Sequence, residues 1–106
     1  MLFRSYVAAW PTGSNYEIYF ARLDQKGNVL QPGEIKTPGR AWHRTGVLVL
    51  AAPDGSACVA WVKDGQLGWQ VYDEKGQPLG RPGSAKTNGN SVAGVVNKDG
   101  RFVLFH

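Results

Sequence analysis

One short segment occurs twice in this chain, 50 positions apart. Residues 31–37 read QPGEIKT and residues 81–87 read RPGSAKT, so Pro, Gly, Lys and Thr stand at matching positions. Self-similarity at such a period is typical of proteins that stack copies of one supersecondary unit. The repeat therefore constrains the fold more than any other feature of the sequence.

Short apolar runs and glycine-containing turns alternate on both sides of these two segments. The clearest run is YEIYFARL at 16–23, which the turn DQKG follows at 24–27. The corresponding segments in the second half of the chain are QLGWQVY at 66–72 and DEKG at 73–76. Aromatic and β-branched runs bounded by Asp and Gly predict short antiparallel strands, and no segment shows a helical period.

These correspondences divide the chain into two units. With 106 residues the chain forms one domain. We predict two four-stranded repeats, about 2–52 and 56–97, and a closing strand at 101–106. Residues 38–45 have no counterpart in the second unit, and we interpret them as an inserted loop. Insertions in repeat proteins map to loops, often on the binding face.

The strand and turn order resembles the blades of bacterial β-propellers. The resemblance lies in YEIYFARLDQKGNVL at 16–30, and in SVA at 91–93 followed by DGRFV at 99–103. It implies an all-β fold of two four-stranded antiparallel, blade-like repeats, with the apolar strand at 46–52 innermost. A small β-sandwich is the alternative. Because propellers use 4–8 blades, we expect a homo-oligomer, most simply a trimer.

Charge and cysteine content exclude several classes of function. The chain has 12 Lys and Arg, 8 Asp and Glu and a net charge of +4, but the basic residues are scattered, so nucleic acid is a minor alternative. Cys58 is the one cysteine, which excludes an intrachain disulfide. No Cys and His cluster predicts a metal site, and no cofactor is expected. Without a signal peptide or a membrane-spanning run, we expect a soluble protein, cytoplasmic by default.

The inserted loop holds the candidate ligand-binding residues, which are Arg40, Trp42, His43 and Arg44. Tryptophan offers a stacking face for a sugar ring, and arginine binds carboxylate or phosphate through two hydrogen bonds. The structural alternative is that Trp42 fills a gap between the units. Because the strands alternate in direction, the same end also collects residues 11–15, Lys63 and residues 88–90. The remaining tryptophans, Trp10, Trp61 and Trp69, are assigned to the core.

No motif in the sequence predicts catalysis. No Ser or Cys stands beside a base in a recognisable pattern, and the Asp-Gly pairs are explained by turn chemistry rather than by calcium. We therefore predict a non-catalytic, oligomeric binding module that presents the loop to a glycan or a protein. The alternatives are a structural blade pair without a ligand, nucleic-acid binding through the basic face, and a weak hydrolase.

Overall fold

The computed structural model describes residues 6–12, 16–41 and 46–106. Within these ranges the chain forms nine strands and no α-helix, and consequently no helix that could cross a membrane. The strands are β1 (Tyr6–Pro11), β2 (Glu17–Leu23), β3 (Ile35–Arg40), β4 (Val47–Ala51), β5 (Ala57–Lys63), β6 (Gln66–Tyr72), β7 (Gly83–Lys86), β8 (Ala93–Val96) and β9 (Phe102–Phe105). The predicted all-β class is confirmed.

The strands form three antiparallel sheets, each in chain order. Sheet A contains β1, β2 and β3, sheet B contains β4 to β7, and sheet C contains β8 and β9. This grouping corrects the predicted two sets of four, which assigned β4 to the first unit. A tight turn at Pro53-Asp54-Gly55 joins β4 directly to β5, and the two strands pair from Val47↔Trp61 to Ala51↔Ala57. The hairpin places β4 in sheet B.

Sheet B is the middle layer, with sheet A on one face and sheet C on the other. Along β5, Val59 and Trp61 belong to the apolar cluster shared with sheet A, whereas Ala60 and Val62 belong to the cluster shared with sheet C. Successive side chains of a strand point to opposite faces, so the alternation assigns the two clusters to opposite faces. A strand covered on both faces reads as a continuous apolar run.

The cluster between sheets A and B contains the largest fully buried side chains. It is formed by Ile18, Phe20, Ala41, Val59 and Tyr72. The rings of Phe20 and Tyr72 lie 4.4 Å apart at an interplanar angle of 43°, a favourable tilted arrangement. β1 packs on β4, and β3 packs on β5 and β6. All three strands of sheet A thus contribute to this interface.

Arg22 ties sheet A to the turns of sheet B. Its side chain extends from β2, and its guanidinium donates hydrogen bonds to the backbone carbonyls of Gly55 and, at 3.2 Å, of Asp73. The residue is 9% exposed. Burial of a charged group is costly unless the group is hydrogen-bonded, so these carbonyls are part of what allows Arg22 to lie inside the interface.

The turns after β2, β6 and β8 share one geometry. Asp24 and Asp73 each accept hydrogen bonds from two backbone N–H groups, at 2.8 and 2.9 Å, and Asn97 does the same at 2.9 Å to both. The glycine three positions later has a positive φ in each turn, for example 86° at Gly27. Side chains of Asp and Asn stabilise turns in this way.

Two predicted boundaries around β3 are corrected. The sequence of residues 28–37 predicts a weaker strand, interrupted by Pro32 and Gly33, but the structure has only an isolated bridge, Leu23↔Val29, before β3 begins at Ile35. The predicted loop at 38–45 loses its first three residues to β3, which ends at Arg40. A register shift between Tyr19↔Lys36 and Glu17↔Arg40 marks a bulge that accommodates the added residues beside β2.

A candidate ligand groove at the end of β3

The structure describes one of the four predicted site residues. Arg40 is the last residue of β3, stands opposite Glu17 of β2 and is exposed. The next residue, Ala41, is buried, and its N–H donates to the carbonyl of Tyr16 at 3.0 Å. Trp42, His43 and Arg44 lie outside the described residues. The site can therefore be built from Arg40 and its neighbours.

Arg40 lines a groove of about 330 Å³ between sheets A and B. Sheet A contributes Pro38, Gly39 and Arg40 of β3. Sheet B contributes Trp61, Lys63, Asp64 and Gln66. Two cationic side chains, Arg40 and Lys63, thus come from different sheets to the same groove. Their placement at one end agrees with the alternation of strand direction in the sequence.

Trp61 forms the aromatic wall of the groove. It is partly buried, and its indole lies against both Gly39 of β3 and Gly68 of β6, because a methyl group added at either glycine would overlap the ring. Glycine at these two positions leaves room for the Trp61 indole. Trp61 packs against the core shared by sheets A and B, as predicted, and it also borders the groove.

The turn between β5 and β6 supplies the polar side of the groove. Lys63 and Asp64 form an ion pair at 3.1 Å, and their side chains are 24% and 67% exposed. Asp64 has a φ of 53°, the left-handed conformation that Asp adopts more readily than most residues. Beside it, Gln66 begins β6. The groove thus combines two cations with a carboxylate and an amide.

The described residues contain no group of three or more His, Cys, Asp or Glu side chains that could hold a metal ion. Two turn carboxylates accept local hydrogen bonds. The backbone N–H of Asn28 is the main cause that lowers the pKa of Asp24, and the side-chain hydroxyl of Ser56 is the main cause that lowers the pKa of Asp54. Burial raises the pKa of the Cys58 thiol to about 11. A thiol in that state is a poor nucleophile.

Sequence reasoning did not select Trp61, Asp64 or Gln66 as site residues, and it noted Lys63 only as a neighbour. The available signal was the pair Gly39 and Gly68. A glycine within a strand often marks the close approach of another group, and here that group is Trp61. Nothing in the spacing of the sequence indicated that β3 would reach across to β5.

Comparison with protein family models, with curated proteins and with solved structures gave no match.

Proposed function

We propose that the three sheets are blades of a propeller-like stack. The support is geometric: each sheet is antiparallel with its strands in chain order, and consecutive sheets pack face to face. The first strands of sheets B and C, β4 and β8, lie against each other, as the innermost strands of neighbouring blades do. Sheet A lacks the first strand of such a blade and sheet C lacks the last two, within the described residues.

We infer that the protein is a non-catalytic binding module and that its groove takes an acidic glycan. The observation that carries this proposal is the meeting of Arg40 from sheet A and Lys63 from sheet B beside the indole of Trp61. Arginine and lysine bind carboxylate or sulfate groups through charge-assisted hydrogen bonds. An aromatic wall with Asp64 and Gln66 supplies apolar contact and hydrogen bonds for sugar hydroxyls.

An acidic glycan fits this groove better than a duplex nucleic acid does. Contact with the phosphates of a duplex needs many basic residues on one continuous face, whereas the groove has two cations and an acidic residue, Asp64, at its rim. A groove of about 330 Å³ accommodates one or two sugar rings. Weak single sites of this size bind usefully when several copies are presented together.

Titration with uronic-acid oligosaccharides, neutral oligosaccharides of equal length and an acidic peptide tests the proposal by calorimetry. We expect binding of the uronic-acid series alone. Arg40→Ala and Lys63→Ala should each weaken that binding roughly tenfold, the worth of one charge-assisted hydrogen bond. Lys26→Ala is the matched control, because Lys26 is an exposed cation in the turn after β2 and does not line the groove, and it should bind like the wild type.

Binding of the acidic peptide alone would assign the groove to a protein ligand instead. Equal affinity of the Arg40→Ala and wild-type chains would contradict the proposal. A second candidate function is a structural blade pair with no ligand of its own, and the incomplete sheets A and C favour it. That function predicts no binding by the wild type in any of the three titrations.

A further inference from the structure

The two faces of sheet B are covered unequally. On one face, sheet A places β1 on β4 and β3 on β5 and β6. On the other face, sheet C has two strands and leaves an apolar groove of about 550 Å³. Its lining includes the apolar residues Leu67, Trp69, Val71, Ala85, Phe102 and Leu104. The groove continues the β4–β8 interface at the place where further strands of sheet C would lie.

A second observation locates what should cover this face. In sheet A, the Thr37 hydroxyl accepts a hydrogen bond from the N–H of Gly39 at 3.2 Å, and Trp61 of the next sheet covers that glycine. Thr87 and Gly89, which follow the last strand of sheet B, repeat this hydrogen bond at 3.2 Å. Around Gly89, however, the nearest described atoms to an added methyl group are 3.9 Å away and belong to Ser91 and Thr87. The position beside Gly89 that corresponds to the Trp61 ring beside Gly39 is therefore empty among the described residues.

Within sheet C, the strand position that should supply this tryptophan belongs to β9. The β8–β9 ladder repeats the β4–β5 ladder at a shift of 45 residues, so that Ala93↔Phe105 matches Leu48↔Ala60. At that shift His106 takes the position of Trp61. His106 is exposed, and so is Phe105, at 56%. β9 therefore occupies the place of β5 without its aromatic anchor.

Sheet A has the two features that would complete sheet C, which are a first strand with an open edge among the described residues and a tryptophan at the position of Trp61. It is a three-stranded sheet whose first strand, β1, pairs only with β2 among the described residues. Trp10 of β1 stands opposite Tyr19 of β2, and at the corresponding position Trp61 of β5 stands opposite Gly68 of β6. Both tryptophans are partly buried. Tyr6, at the other end of β1, is 56% exposed. Sheet A thus has an open edge and an aromatic outer face.

We propose that a second copy of this chain completes sheet C. Sheet A of the second copy pairs with β8 of the first copy in the place of β9, and Trp10 of the second copy covers Gly89 of the first. The resulting sheet, β8 followed by the partner's first three strands, has the same order as sheet B. Displacing β9 from β8 costs less than separating β1 from β2, because β8 and β9 pair over four residues whereas β1 and β2 pair over six. The interface is head to tail, so copies assemble into a ring if the rotation closes.

Sedimentation velocity of the full chain, from micromolar to millimolar concentration, tests this proposal. We expect the wild type to associate reversibly beyond its 11.5 kDa monomer. Gly89→Leu fills the open place and should weaken association roughly 30-fold or more, as should Trp10→Ala, since interface tryptophans carry much of the binding energy. Gly89 has a φ outside the left-handed region and free space around it, so the leucine variant should fold normally.

Mixing the two variants makes the test specific. The Trp10→Ala chain keeps an intact place at Gly89, and the Gly89→Leu chain keeps an intact Trp10. A head-to-tail interface predicts that the mixture forms a dimer of one chain of each kind, whereas each variant alone stays monomeric. Gln25→Leu, an exposed turn residue, is the control for added apolar surface and should associate like the wild type.

Three outcomes would overturn the proposal. The first is a wild type that sediments at 11.5 kDa at every concentration. The second is a Gly89→Leu variant that associates as strongly as the wild type, which would assign association to another surface. The third is a mixture that shows no dimer although the wild type associates. None of these outcomes depends on a glycan, so the result is separate from that of the ligand titrations.

Discussion

The interface between sheets A and B and the interface between sheets B and C use the same sheet in different ways. The first buries Phe20, Ile18 and Tyr72 and is tied across its edge by Arg22. The second is a smaller cluster beside an apolar groove, with Phe105 of β9 more than half exposed. The A–B interface is therefore buried within one chain. The B–C interface leaves apolar surface of sheet B exposed in the groove.

The comparison predicts the largest difference for substitutions in the two clusters. Phe20→Ala removes a fully buried ring between sheets A and B and should lower the free energy of unfolding by about 4 kcal/mol. Leu104→Ala removes a half-buried side chain of β9 and should cost about 1 kcal/mol. Urea denaturation at low micromolar concentration measures both. Equal losses would show that sheet C is as tightly packed as sheet A.

Arg22 offers the next contrast. Arg22→Met leaves the carbonyls of Gly55 and Asp73 without this donor inside the interface, and we expect a loss of about 2 kcal/mol. Arg101→Met, at an exposed residue that precedes β9 and borders the apolar groove, should change stability by less than about 0.5 kcal/mol. Thermal unfolding of the two variants checks the difference, and a neutral Arg22→Met variant would mean that the guanidinium does not link the sheets.

The two equivalent glycines sharpen the comparison further. A methyl group at Gly39 overlaps the Trp61 ring, so Gly39→Ala should destabilise the fold by about 2 kcal/mol through overpacking. Gly89→Ala meets no described atom closer than 3.9 Å and should change stability by less than about 0.5 kcal/mol. Chemical denaturation of both variants at low concentration decides the point. Equal effects would contradict the assignment of an open place at Gly89.

The smallest predicted effect concerns pH and the two turns capped by Asp24 and Asn97. Hydrogen bonds, chiefly from the N–H of Asn28, lower the pKa of Asp24 in the folded chain. Its contribution to stability is therefore complete above the unfolded pKa, about 3.9, and is lost as the pH falls through the lower folded value. Asn97 makes the same bonds without ionising. Asp24→Asn should thus keep the turn and reduce the loss of stability between pH 5 and pH 2.

Urea denaturation of the wild type and the Asp24→Asn variant across that range checks this prediction. An unchanged slope of stability against pH in the Asp24→Asn variant would mean that this carboxylate is not coupled to folding.

Local chemistry made the strands and turns predictable. Aromatic and β-branched runs such as 16–23 and 66–72 lie in β2 and β6, and the Asp and Gly residues that follow them form the turns. These elements depend on neighbours in sequence. The order of the strands in the sheets also follows from short connections, since antiparallel neighbours are joined by tight turns.

The grouping into sheets was not predictable from the repeat. A period shows which segments correspond, but it does not show where one unit ends and the next begins, so the strand at 46–52 could be assigned to either side. The pairing of β4 with β5 follows from the turn at Asp54 and Gly55. That turn is visible in the sequence, and it is a more direct indication of strand pairing than the literal repetition of residues 31–37.

The site was only partly predictable for a different reason. The sequence predicts Arg40 in a loop, whereas in the structure Arg40 ends β3. Its neighbours Trp61 and Lys63 belong to another sheet, and their approach depends on Gly39 and Gly68 accepting the indole. Contacts between sheets follow from packing across long sequence separations, and no local pattern encodes them.

Amide hydrogen exchange, followed residue by residue at increasing protein concentration, tests the central claim most directly. The claim is that the A–B interface is complete within one chain and that sheet C is completed by a second copy. The account predicts slow exchange in β5 and β6 at every concentration, fast exchange in β9, and protection of the outward amides of β1 that grows with concentration. Protection of β9 equal to that of β5, with no change in β1 as the concentration rises, would contradict it.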